Sequence, residues 1–261
     1  RVAVYYDDAS AFPLDRVQAL PGELGWGAAS CGTVYLRNTA AKSGRGLLLI
    51  DAKSRTLAAG SYTALGVGTD AEFAAEDVVL AGANVVAAPH HQMRVVATNL
   101  SVTEGAVLTH RASDASNEFS LSVSVAETVR VDASSAVDVS ARGYLAGRTL
   151  GNSATGAASG KSGASYGGYG ASDSGSTNDV YGDGCDPAEL GSGGTGNISI
   201  ANAGGGLARI SAAALQLDGV IRANGGDGRD DGWGWYAGGG AGGGVRLDLG
   251  VLTGSGTIQA D

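Results

Sequence analysis

The side chains with the clearest chemical potential lie in two glycine-rich stretches, "NDVYGDGCD" and "GGDGRDDG". Hard cations such as Ca²⁺ require several oxygen ligands within a small volume, so a calcium site is one interpretation of these stretches. Neither stretch matches the helix-loop-helix calcium pattern or the nonapeptide calcium repeat, and the favoured alternative is a solvated acidic loop with no required cofactor. The candidate metal ligands are Asp179, Asp183 and Asp186 in the first stretch and Asp227, Asp230 and Asp231 in the second.

Aromatic residues in the same parts of the chain could bind a sugar, because indole and phenol rings stack on the apolar faces of saccharides. The favoured alternative is that these rings anchor long glycine-rich loops to the protein body, since glycine has no side chain with which to make contacts. The candidate ligand-binding residues are Trp233, Trp235 and Tyr236 in one loop and Tyr166, Tyr169 and Tyr181 in the other.

Cysteine and histidine define no site on their own. Cys31 and Cys185 match no metal-ligand spacing, and two interpretations stay open: one long-range disulfide, if the compartment is oxidising, or two buried free thiols. The histidines are His90, His91 and His110. No serine or cysteine has the context of an activated nucleophile, so a structural or solvated role of these histidines is favoured over metal binding or acid–base chemistry.

Charged residues interleave with the apolar stretches and raise the question of catalysis. Polysaccharide lyases and glycosidases need two positioned carboxylates, or bound calcium with a basic residue, on one face of the fold. Cross-strand pairing of aspartate with arginine on an outer face explains the pattern more simply. We therefore assign no catalytic residue. The residues concerned are Asp132, Asp138, Asp218 and Asp248, with Arg130, Arg209, Arg222 and Arg246.

The composition indicates a folded, glycine-rich protein. Glycine accounts for 45 of the 261 residues, hydrophobic residues reach 43% and charged residues only 16%. This balance predicts a buried core rather than a disordered chain. The net charge of −9 argues against nucleic acid or an anionic membrane as a partner. No run of about 18 apolar residues is present, so we expect no membrane insertion.

Short runs of alternating apolar residues recur along the chain, and five of them align as copies of one repeat. Each copy has an apolar–x–apolar triplet, a turn of small or polar residues and a second alternation, which is the pattern of short strands joined by tight bends. Stacking such copies buries an apolar face that no single copy can cover. The copies are "DVVLAGANVVAA" (77–88), "NLSVTEGAVLTH" (99–110), "TVRVDASSAVDVSA" (128–141), "ALQLDGVIRA" (214–223) and "VLTGSGTIQA" (251–260).

The repeats predict an all-β fold, a parallel β-helix (β-solenoid) with long glycine-rich loops inserted between coils. Asn-Gly and Asp-Gly hairpin turns are sparse, which disfavours the alternative of an antiparallel β-sandwich. We expect a single domain over residues 1–261. Its parts are divergent N-terminal coils (1–70), regular coils (71–141), a Gly/Ser-rich insertion (142–197) and C-terminal coils (198–261) that include a glycine-rich loop (225–244).

The strands "RVAVYYDD" and "GTVYLRN", which begin at residues 1 and 32, accompany two later variants, "GGGLARI" and "GGGVRLDL". Together they resemble a glycine-rich β-helical repeat module, of the type GGGxRxAVYY…GTVYL, that occurs in large bacterial cell-surface and secreted proteins. The resemblance implies β-helical repeats in a surface or extracellular protein. The resemblance identifies no catalytic residue in this sequence.

The chain opens and closes within the repeat pattern, so we expect both ends to be cuts through a longer stack. We predict an extracellular or cell-surface structural or adhesive module that stacks end to end, on copies of itself or on adjacent repeats, in a filament or a giant surface protein. The alternatives are a carbohydrate-active β-helix enzyme, either a polysaccharide lyase or a glycosidase, and a Ca²⁺-stabilised carbohydrate-binding module. Polysaccharide is a further candidate partner.

Overall fold

A computed structural model describes residues 1–22, 29–42, 44–58, 60–196, 202–230 and 236–261. Within these residues the protein has β-strands and two short 3₁₀ turns, η1 (Leu14–Arg16) and η2 (Leu150–Asn152). No helix in this part of the chain has the length and hydropathy needed to cross a membrane. The strands are β1 (Val2–Tyr6), β2 (Val34–Asn38), β3 (Leu47–Asp51), β4 (Thr63–Leu65), β5 (Glu72–Ala74), β6 (Asp77–Ala81), β7 (Val86–Pro89), β8 (Arg94–Thr103), β9 (Val107–Leu108), β10 (Leu121–Val131), β11 (Ala136–Asp138), β12 (Leu207–Leu217), β13 (Val220–Arg222), β14 (Arg229–Asp230), β15 (Tyr236–Ala237), β16 (Gly244–Thr253) and β17 (Thr257–Gln259).

The strands form two main sheets with the core between them. The nine-stranded sheet has the order β1-β2-β3-β6-β8-β10-β12-β16, with β5 also paired to β8, and the six-stranded sheet has the order β17-β13-β11-β9-β7-β4. From β6 to β17 the chain alternates between these sheets, apart from the antiparallel ribbon of β14 and β15. Buried residues of both sheets belong to one hydrophobic cluster.

The alternation of residue types in β10 explains why one face of this strand packs in the core and the other faces solvent. Leu121, Val123 and Val125 are buried, whereas Ser122 and Ser124 between them are partly exposed. Successive side chains of a strand point to opposite faces, so a period of two places one face in the core.

The predicted alignment of the five repeats is confirmed by the strand pairing of the nine-stranded sheet. Val78 pairs with Leu100, and Leu100 pairs with Val129. Val129 pairs with Leu215, and Leu215 pairs with Leu252. All of these pairings are parallel. The repeats therefore stay in step even where long insertions separate them in sequence.

The predicted fold class, a parallel β-helix throughout the chain, is wrong. β2 and β3 pair antiparallel, so β1 and β2 run against β3 and the strands that follow it. Only eight residues, 39–46, connect β2 to β3. Such a short connection reverses the chain, because a parallel return needs a crossover of a dozen or more residues. The structure consists of one mostly parallel sheet and one parallel sheet.

The first prediction compares two leucines of the same row. Leu215 is 0% exposed and Leu252 is 55% exposed. We expect Leu215→Ala to lower the free energy of unfolding by about 2–5 kcal/mol, because it leaves a cavity in a closed core. We expect Leu252→Ala to cost less than about 1.5 kcal/mol, since part of its surface already faces water. Urea denaturation followed by circular dichroism, at concentrations where the chain is monomeric, measures both values; equal losses would contradict an open edge at β16.

Candidate functional site

The long glycine-rich segments pack against one another through backbone hydrogen bonds. The amide of Gly143 donates to the carbonyl of Gly204 at 2.7 Å, and the amide of Gly191 donates to that of Gly205 at 2.9 Å. The amide of Gly205 in turn donates to the carbonyl of Ala241 at 2.8 Å. The described residues of the insertion thus form an ordered array with the loop that precedes β16.

Close backbone approach explains why this array is built from glycine. A Cβ atom on Gly204 would overlap the carbonyl oxygen of Gly191, and one on Gly143 would overlap the carbonyl oxygen of Gly205. Protein interiors cannot absorb such an overlap without moving the chains apart. The glycine content is therefore a packing requirement at these positions.

Two of the predicted tyrosines make their hydrogen bonds within the insertion. The rings of Tyr166 and Tyr181 lie with their centroids 4.9 Å apart. The Tyr181 hydroxyl donates to the carbonyl of Leu190 at 2.6 Å, and the Tyr166 hydroxyl contacts the Glu189 carboxylate at 3.4 Å. Burial raises the pKa of Tyr166 to about 12 and that of Tyr181 further, so both phenols stay neutral donors. Tyr181 also packs against a cluster of buried residues that includes Leu207 of β12, and the anchoring of the loop to the protein body stays a prediction.

Three of the four tyrosines of the insertion line one cleft of about 840 Å³ beside the end of the sheets. Tyr169 is 70% exposed at this cleft, and Val245 and Ile258 line it from β16 and β17. The structure therefore brings Tyr166, Tyr169 and Tyr181 together, next to the last strand of each sheet.

The aromatic residues of the second loop do not join this cleft in the part of the chain that the structure describes. Tyr236 is exposed, and the ammonium of Lys161 lies 4.9 Å from the centroid of its ring. Trp233 and Trp235, together with the candidate metal ligand Asp231, lie outside the described residues.

The candidate calcium ligands of the first stretch make other contacts. Asp186 accepts a hydrogen bond from Arg209 at 2.9 Å and pairs with Arg246, and both arginines hold the pKa of its carboxyl below its usual range. Asp183 accepts a hydrogen bond from the backbone amide of Cys185 at 2.7 Å. Asp179 is exposed.

In the second stretch Asp227 is exposed and Asp230 lies in β14. Among the described residues, no group of three or more histidine, cysteine, aspartate or glutamate side chains could hold a metal ion. The described residues therefore do not bring three candidate ligands together, and calcium binding stays a prediction. Asp186 lies beside Arg209 and Arg246, a contact that the sequence alone could not show.

The disulfide alternative for the two cysteines is wrong. Cys31 and Cys185 are both free. Cys31 is buried beside β4, where its carbonyl accepts a hydrogen bond from the Thr63 hydroxyl at 2.8 Å, and burial raises the pKa of its thiol to about 11. Cys185 is exposed on the insertion. Only one of the two thiols is therefore buried.

The predicted cross-strand pairing of aspartate with arginine is confirmed for Asp138 and Arg222. Asp138 and Arg222 are register partners in β11 and β13, and their side chains form an ion pair at 2.8 Å. Arg209 and Arg246 are register partners in β12 and β16 and share Asp186. These charges neutralise one another on the outer faces.

The last strand of each sheet leaves apolar side chains uncovered. In the six-stranded sheet Leu108, Val137 and Ile221 form one row and are fully buried, whereas Ile258, the next member of the row, is 44% exposed. Leu252 occupies the same position in the row of the other sheet. We call the exposed surface of β16 and β17 the open edge.

His110 has the structural role that the sequence analysis favoured. Its ring is buried, its Nδ1 lies 2.7 Å from the carbonyl of Arg111, and its Nε2 accepts a hydrogen bond from the amide of Leu207 at 3.3 Å. These contacts place the proton on Nδ1 and keep the ring neutral. Desolvation lowers the pKa of His110 to about 4.

One group of residues was missed by the sequence analysis. Tyr62, Arg111 and Arg142 line a cavity of about 430 Å³ on the six-stranded sheet. Arg111 follows β9 by three residues and Arg142 follows β11 by four, and these strands are neighbours. An arginine after the same strand of successive repeats is the signal that could have found them.

Comparison with family models, curated protein sequences and solved structures finds no match.

The glycine array yields a prediction with a matched control. We expect Gly204→Ala to destabilise the protein by about 1–3 kcal/mol, because its Cβ overlaps the backbone of Gly191. Gly184→Ala should change stability by less than about 0.5 kcal/mol, since nothing lies within 4 Å of a Cβ at that position. Thermal unfolding and limited proteolysis of the insertion check both. An unaffected Gly204→Ala would refute close packing.

His110 predicts a pH dependence of stability. Its pKa is about 4 in the folded state against 6.5 for the free side chain, so the unfolded state binds the extra proton first. The contribution of the neutral ring is complete above pH 6.5 and is lost as the pH falls towards 4. We expect a loss of about 2 kcal/mol between pH 7 and pH 5.

Urea denaturation at a series of pH values measures this slope. His110→Gln should flatten the slope between pH 6.5 and 5, whereas His90→Gln should leave it unchanged because His90 is exposed. A slope that survives in His110→Gln would assign the dependence to other groups.

Proposed function

We propose that this chain is a structural, adhesive repeat module of a cell-surface or extracellular protein, which associates through the open edge. The observation that carries the proposal is the exposure of Leu252 and Ile258 in rows whose preceding members in the repeats are fully buried. A side chain at this position is covered wherever another strand follows. The last strand of each sheet therefore exposes apolar side chains that are buried in every strand with a neighbour on both sides.

The open edge lacks the features that usually protect an edge strand. Natural edges carry lysine, proline or inward-pointing charges that prevent pairing with another chain. Residues 250–260 contain no proline and no charged residue, in a chain whose net charge is −9. Arg246 and Asp248, the charged residues of β16, form an ion pair with each other at 2.9 Å. Two copies that meet here bring little net charge together.

A further repeat of a longer protein would fit this edge, and so would a second copy of the chain. It presents the same two strands, and a two-fold axis through the edge would pair β16 with β16 and β17 with β17. New main-chain hydrogen bonds would then accompany the burial of Leu252 and Ile258, and full burial of such a side chain is worth about 1.5–3 kcal/mol.

The opposite end of the sheets favours this arrangement over head-to-tail stacking. β1 runs against β3, so it does not present the strand direction of the repeats. In the six-stranded sheet the terminal strand β4 is already covered, with Leu65 buried in the core. The two ends are therefore different surfaces, and only the β16–β17 end continues the repeat.

The prediction concerns self-association in solution. We expect the chain to form a dimer in analytical ultracentrifugation, and Leu252→Lys to weaken dimerisation at least about tenfold. In the monomer the lysine ammonium reaches water, but in the dimer it would enter a covered apolar row without a partner.

Leu150→Lys is the matched control, because Leu150 is 48% exposed but lies in η2, away from the open edge. It should dimerise as the unaltered chain does. Circular dichroism establishes that both variants are folded. A chain that stays monomeric at high concentration, or a Leu252→Lys variant that dimerises normally, would refute the proposal.

A further inference from the structure

A cavity separate from the open edge lies on the outer face of the six-stranded sheet. Its volume is about 430 Å³, within the range of small-molecule sites. Val86 and Ala88 form an apolar floor, because Ala87 between them points into the core. The cavity belongs to the end of the sheet formed by β4, β7 and β9, and β17 is at the other end.

The walls of the cavity concentrate positive charge. Arg111 and Arg142 line it together with Tyr62, Ser61 and Thr109, and none of the described residues that line it is acidic. The whole chain has 26 acidic residues against 17 basic ones. The cavity is therefore positively charged, whereas the chain as a whole is negatively charged.

The guanidinium of Arg142 is half-buried without a direct partner. Among the described residues it has no hydrogen bond or salt bridge, and desolvation lowers its pKa. The charge of Asp138 offsets part of this effect, but its carboxylate is already bound to Arg222 at 2.8 Å. Withdrawing a charge from water without pairing it is costly, so an anion in the cavity would relieve this cost.

Arg111 is held in place by groups outside the cavity. One of its terminal nitrogens donates to the carbonyl of His90 at 3.2 Å, and its guanidinium carbon lies 5.0 Å from the centroid of the Phe119 ring. The remaining donors of the planar fork stay available. Arginine binds carboxylates through two parallel hydrogen bonds, and a guanidinium fixed in advance loses less entropy on binding.

We propose that this cavity binds a carboxylate attached to a six-membered ring. Arg111 and Arg142 bind the carboxylate, and the ring lies between the Tyr62 side chain, which is 43% exposed, and the apolar floor. The cavity is larger than a bare anion requires, and its apolar floor suits a ring. The ring could belong to an acidic sugar or to an aromatic acid, and this site is independent of self-association at the open edge.

Isothermal titration calorimetry with glucuronate, benzoate, glucose, acetate and inorganic phosphate tests the proposal on the full chain. We expect saturable binding of glucuronate or benzoate that weakens at high salt, and at least about tenfold weaker binding of glucose, acetate and phosphate. Preference for glucuronate identifies an acidic sugar, and preference for benzoate identifies an aromatic acid.

Three variants locate the binding. Arg142→Gln should weaken binding of the preferred acid at least about tenfold, and Arg142→Lys should restore only part of it, because lysine lacks the planar fork. Tyr62→Ala should weaken the ring-bearing acid while leaving acetate unchanged. Arg130→Gln is the control, since Arg130 is exposed on β10 in the other sheet.

Any of three results would overturn the proposal. The first is the absence of saturable binding of either acid, and the second is phosphate or acetate binding as tightly as the acids. The third is an affinity that Arg142→Gln leaves unchanged while the variant stays folded by circular dichroism.

Discussion

The structure depends on one constraint: the apolar row of each repeat must be covered by the same row of the neighbouring repeats. Val78, Leu100, Val129 and Leu215 satisfy it, because each pairs on both sides and is excluded from water. The constraint acts between repeats that are far apart in sequence. Insertions are tolerated as long as the chain returns in register, since they leave the row unchanged.

The glycine-rich segments depend on a second packing constraint, in which backbone groups take the place of apolar side chains. In the array around Gly204, neighbouring backbones bond directly to each other and leave no room for a Cβ atom. Hydrogen bonds between neighbouring backbones satisfy the peptide groups there, and the Tyr181 hydroxyl joins two segments of the insertion through the carbonyl of Leu190. The insertion is therefore ordered by main-chain packing, where the repeats are ordered by side chains.

This difference explains which parts of the structure the sequence could predict. Apolar alternation marks strands and their inward faces, and it was sufficient to align Leu100 with Val129 across a variable insertion. Alternation contains no information about strand direction, however, so the reversal between β2 and β3 was missed; the eight-residue connection was the only signal of it.

The glycine array and the partners of His110 and Asp186 could not be predicted, because they depend on contacts between distant parts of the chain. A glycine that packs against a backbone looks in sequence like a glycine in a loose turn. The contact of His110 with Leu207 joins residues 97 positions apart, and no local pattern reveals such a pair. Likewise Asp186 could be read as a calcium ligand, because the sequence does not show that Arg209 and Arg246 lie beside it.

The distribution of charge connects the two proposals. The outer faces of the sheets carry paired charges such as Asp138 with Arg222. At the open edge residues 250–260 carry none, so the net charge of −9 opposes association less there than elsewhere. In the cavity the sign of the charge reverses: Arg111 and Arg142 line it, and none of the described residues that line it is acidic. Both proposals therefore depend on places where the described structure departs from paired charges.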